Sequence, residues 1–152
     1  MAQVISDNAV DPLVAFNFGL EIMGVVEGFF TEVAGLGSET EVVEHKVMGP
    51  KGQQVVKKVP GRLKWDNITL KRGITANLDI WKWRKQVEQG DVQGARKNGS
   101  IMMYDQEGKE VARWNFEGAW PAKVSGPQPK ADSNDIGIEE LTIVHAFIER
   151  VS

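Results

Sequence analysis

From Val14 to Ile22 apolar side chains occupy every second position: Val14, Phe16, Phe18, Leu20 and Ile22. A period of two predicts a half-buried strand. Phe29–Val33 predicts a second strand after a break at Gly28, and Gly35-Leu36-Gly37-Ser38 reads as a turn. Ser38–Val47 is the third strand, with Val43 and Val47 on one face. Residues 48–61 (MGPKGQQVVKKVPG) interrupt the pattern: two glycines flank Pro50-Lys51 and Pro60-Gly61 closes the stretch. Fourteen such residues are long for a connection in a compact domain, and long loops are usually functional or disordered. Two readings follow, a solvated hairpin or a projecting arm that docks on a neighbour.

Leu63 and Trp65 resume the alternation, which continues through Ile68 and Leu70 after a kink at Asp66-Asn67. Residues 75–90 form the one good helix, with Thr75 or Asn77 as its cap and Gly90 as its stop. Ile80, Trp83 and Val87 share one stripe, while Leu78 and Trp81 form another. One stripe can face the chain's own sheet. The other needs a cover from a loop or from a neighbouring subunit, so Leu78, Trp81 and Trp83 are candidate inter-subunit residues. Ser100–Tyr104 and Lys109–Trp120 form a hairpin about the turn Asp105–Gly108. Ser125–Asp135 is a second loop. Ile136–Val151, apolar on both faces around Leu141–Ile148, predicts a strand covered on both sides. Residues 1–11 lack periodicity and read as an N-terminal arm.

The 152 residues amount to one domain of ordinary globular composition, 41% apolar and 26% charged. No cysteine is present, which excludes disulfide scaffolds, thiolate metal sites and thiol catalysis. No apolar run is long enough to span a membrane as a helix, and the start lacks the basic and apolar regions of a secretory signal. Charge is segregated. Residues 1–45 hold eight acids and no Lys or Arg, residues 46–97 thirteen bases and four acids, and residues 98–152 nine acids and five bases. Such blocks either cancel within one fold or leave a basic and an acidic end, which favours head-to-tail association of copies. A nucleic-acid-binding module using the basic, Trp-interleaved segment 46–97 is the alternative.

Catalytic constellations are weak. His45 and His145 stand alone in predicted strands, where a satisfied structural histidine is the expected role. The acids of Glu39/Glu41 and Glu139-Glu140 read as solvated or split between faces. No dinucleotide, P-loop or nucleophile-elbow pattern occurs. Neither an enzyme nor a cofactor or metal site is expected.

Several segments, in order, carry a likeness: Phe30-Thr31-Glu32-Val33-Ala34-Gly35-Leu36, Glu41-Val42-Val43-Glu44, Leu70-Lys71-Arg72-Gly73-Ile74 leading to Trp81, Gly118-Ala119-Trp120-Pro121, and Ile138-Glu139-Glu140-Leu141-Thr142-Ile143. Along nearly the whole chain the sequence resembles the tail tube proteins of contractile phage tails and related bacterial contractile injection systems. The resemblance implies a mainly β (α+β) single domain, with two packed antiparallel sheets forming a barrel-like core, a flanking helix and an extended arm. It implies six subunits per ring, with rings stacked into a hollow inner tube that sheath contraction drives through a target envelope. Implied partners are further copies of the chain, a sheath protein, baseplate and tail-terminating proteins, and luminal cargo, either protein effectors or phage DNA. Implied location is a phage tail or phage tail-like particle assembled in a bacterial cytoplasm, without a membrane anchor of its own. By position, residues 48–61 are the arm that meets the adjacent ring, which makes Lys51, Val55, Val56, Lys57, Lys58 and Arg62 the inter-ring candidates.

Overall fold

The computed structural model describes residues 17–23, 26–127 and 137–152. The expected 1–11 arm, the start of the first strand and most of the 125–135 loop lie outside them. Chain order is β1 (Asn17–Ile22), β2 (Val26–Phe30), β3 (Glu32–Ala34), β4 (Ser38–Met48), β5 (Gln54–Trp65), β6 (Ile68–Gly73), α1 (Asp79–Glu88), α2 (Val92–Ala95), β7 (Lys97–Tyr104), β8 (Glu110–Ser125), β9 (Ile138–Val144) and β10 (Phe147–Arg150).

All strand pairs among the described residues are antiparallel. The main path runs β2-β1-β7-β8-β9-β6-β3, with β10 also on β8. The 16-residue β8 links two sheets: its first half lies between β7 and β10, and its second half pairs with β9. The fold is mainly β, as expected, but the ladder does not close into a barrel. β2 and β3 end the path, and the chain itself bridges them at Thr31, whose N–H donates to Lys71 O at 2.9 Å. The single strand expected over 29–33 is therefore two. Gly28 is no break; it lies within β2, where a Cβ would sit 3.0 Å from Arg72 Nη1.

Leu20, Ile22, Phe30, Ile68, Leu70, Ile101, Phe116, Leu141 and Ile143 fill the space between the sheets. The helix adds Ile80 and Trp83, both buried. It is shorter at its start than the expected 75–90. Asn77 Oδ1 accepts from Asp79 N–H at 2.9 Å, and the left-handed Gly90 (φ 91°) stops the helix, its N–H bonding Val87 O. Trp83 Nε1 donates to Ala95 O at 2.7 Å, tying α1 to α2. The expected final strand is split at His145-Ala146, and β9 buries one face only, through Glu139, Leu141 and Ile143.

A second unit, the β4–β5 ladder, pairs with no other strand among the described residues. It continues the β3–β6 pairing outward, so residues 32–73 form one long hairpin interrupted where 35–37 faces Asp66-Asn67. Asp66 N–H donates to Gly37 O at 3.1 Å across that interruption. Gly35 there has φ 87°, and a Cβ would fall 1.9 Å from Asn67 O, so only glycine fits.

Candidate assembly surface

Residues 48–61 are not an irregular loop. Gln54 onward is strand, and only Gly49–Gln53 turns, closed by Gly49 N–H to Gln53 O at 2.7 Å. The solvated hairpin and the projecting arm are thus one object. The misleading signal was Pro60. From the 49–53 bond, hydrogen-bonded pairs alternate outward as 47/55, 45/57 and 43/59, which leaves Val42↔Pro60 a non-hydrogen-bonded pair. The missing N–H of Pro60 then lies on the open outer edge, where no ladder bond is lost.

Every residue of β4 and all of β5 except Val59 and Trp65 is exposed. Strands this long, standing clear of a core, leave apolar side chains in water: Val42 is 61% exposed, Met48 79%, Val56 50% and Leu63 51%. The inter-ring candidates Lys51, Val55, Val56, Lys57, Lys58 and Arg62 all lie exposed on this hairpin. The register also places acids opposite bases: Glu44 faces Lys58 and Glu39 faces Lys64, while Glu41 meets the bulge formed by Gly61 and Arg62. Part of the sequence's charge segregation therefore cancels across one ladder.

The helix candidates divide. Trp83 is withdrawn as an inter-subunit residue: it is 1% exposed within its own core, because its stripe is the one facing the sheets. Trp81 is half-buried under its own chain. Its Nε1 donates to Glu139 Oε1 at 2.8 Å, and its ring lies about Gly126, where a Cβ would be 3.6 Å away. Leu78 remains outward at 56% exposure.

Sequence reading missed a buried polar cluster. Arg72 Nε meets Glu139 Oε2 at 3.1 Å, both side chains almost fully buried, and the guanidinium lies 5.0 Å over the Phe30 ring. The signal was present in the alternation itself, since Arg72 follows Ile68 and Leu70 on the inward face and Glu139 precedes Leu141 and Ile143. His145 is structural, as expected, with Nε2 3.0 Å from Asp66 O at the hairpin root. His45 is not: it lies exposed on β4 opposite Lys57. Among the described residues no group of His, Asp and Glu is arranged to hold a metal. Of the thirteen bases of 46–97, Arg72 is internal and Lys58 and Lys64 face acids.

An exposed apolar hairpin on a well-packed β body is a surface suited to contact with another protein. The sequence matches the T4-like virus tail tube protein gp19 family over residues 14–149, and the chain belongs to that family of structural tube proteins. Solved structures share the fold. A chain of the PVC sheath-tube complex, from an extracellular contractile injection system in its extended state, is 24% identical, with TM-score 0.72 over 89% of this chain and 88% of that one. A chain of the sheath/tube terminator of the same type of system is 24% identical, with TM-score 0.74 over 93% and 96%. Hcp1 from Salmonella typhimurium is more distant, at 14% identity and TM-score 0.53 over 90% and 85%. No curated protein sequence matches.

Proposed function

We propose that the chain is the repeating subunit of the inner tube of a contractile injection apparatus. Six copies close a ring, and rings stack into a hollow tube that lies inside a sheath, meets a baseplate and a terminating protein at its ends, and carries cargo. The observation that supports this most directly is the β4–β5 hairpin, an element with almost no packing inside its own chain. Open strand edges invite pairing with another chain, and a ring of identical subunits uses them in a closed way. The extracellular systems whose chains share this fold suggest a phage tail-like particle as its location.

Electron microscopy of the purified protein, alone and with a nucleating baseplate fraction, tests the reading. Rings of about six subunits, or tubes built from them, are expected. A protein that stays monomeric under both conditions rejects it.

A further inference from the structure

The two faces of the hairpin are chemically different near its root, and register tells them apart. Residues opposite one another share a face. Trp65 and Ser38 therefore lie with Leu63 and Thr40, then with Val42 and Pro60 beyond the bulge, and past the Glu44–Lys58 pair and Lys46 to Val56 and Met48. This face is an outward continuation of the core side, because Trp65 packs edge-on against Phe147 with centroids 5.5 Å apart and lies 6.1 Å from the His145 ring. The opposite face carries Glu39 with Lys64 and Glu41 with Arg62, which line a recess of about 320 Å³. Further out it carries the half-buried Val59, then Val43, Val47 and Val55 at 38–42% exposure, more sheltered than Val42, Val56, Leu63 or Met48, with His45 and Lys57 between them.

We propose that the Leu63–Val42 face docks on the body of a second copy of this chain, while the Glu39/Lys64 face stays in water. This rests on the tube reading and adds which side of the hairpin is buried. Three observations commit the docking face to a second copy. At the root, this same face already lies on this same fold, through Trp65 on Phe147. Phe147 is still 40% exposed, so the contact ends before the apolar surface does. The charges also suit such a partner: this face carries Lys46 and Lys58 against Glu44, and the chain outside the hairpin twelve Lys and Arg against eighteen Asp and Glu.

The absence of cysteine permits a direct test. Four single variants, Val42→Cys, Leu63→Cys, Glu39→Cys and Lys64→Cys, are treated with a small maleimide as soluble subunits and again as assembled tubes confirmed by electron microscopy. All four label when soluble, since each site is exposed. On assembly, labelling at positions 42 and 63 is lost while positions 39 and 64 keep theirs. Oxidative footprinting of the unmodified protein provides a check free of substitution, with Met48 losing reactivity in tubes. Tubes with the pattern reversed, or with all four sites alike, overturn the face assignment alone. Absence of any ring or tube from the unmodified protein overturns the tube reading and this inference with it.

Discussion

Among single residues, Arg72 and Glu139 matter most to the fold. Each is a charge removed from water and held by the other, with Trp81 Nε1 on the remaining carboxylate oxygen. Deleting one partner strands the other, so Arg72→Ala or Glu139→Ala should each cost about 3–5 kcal/mol in urea unfolding of the subunit. The double replacement Arg72→Met with Glu139→Leu should cost far less than the sum, because no orphan charge remains. Asp91 behaves differently. Its carboxylate accepts from Gln86 Nε2 and from Gly94 N–H, which hold it below the ordinary value of 3.8. A lowered folded value stabilises the protein above the unfolded value, and the contribution is lost as pH falls through the folded one. Asp91→Asn should lower the unfolding midpoint at neutral pH and leave it nearly unchanged in strong acid, so that the acid limb of the midpoint plotted against pH is flatter. The Arg72–Glu139 pair was legible only as parity. Composition rules place charged residues outside, and nothing in the local sequence announces that two inward charges on neighbouring strands will meet.

Elements were legible where one face was buried. β1 and β6 follow alternation because each packs one side on the core, and the α1 stop at Gly90 was readable from glycine's freedom at positive φ. Failures fell where that warrant lapses. β4–β5 has no core of its own, so its apolar positions obey no single face, and Pro60 and two glycines masked a strand. The reading of the last segment as covered on both sides failed because its outward face mixes Glu140 and Thr142 with Ile138 and Val144, while Glu139, Leu141 and Ile143 alone turn inward on β9. The same hairpin supports a prediction. Lys57→Glu with Lys58→Glu alters two exposed side chains and should move subunit stability by no more than about 0.5 kcal/mol, while shortening tubes and lowering their salt resistance. Chemical unfolding checks the first expectation and electron microscopy across a salt series the second. Tubes of ordinary length would assign the affinity wholly to the apolar contacts.

At the scale of the molecule, the fold class and the family were readable from the order and spacing of segments, whereas the faces that meet in an assembly required the register. A subunit whose hairpin is covered only by other copies gains stability by mass action. Its apparent unfolding temperature should therefore rise with protein concentration once rings form, and should be concentration-independent for a variant confined to monomers. Differential scanning measurements over a hundredfold dilution, followed in parallel by size-exclusion chromatography, check this.

β8 belongs to both sheets, gripped by β7 and β10 along one half and by β9 along the other. Sliding one sheet over its neighbour would have to tear ladders on both flanks of that strand at the same moment. A load applied along the body is therefore shared as through a stiff beam, and yielding is left to the slender β4–β5 extension, which can bend without opening the hydrophobic interior.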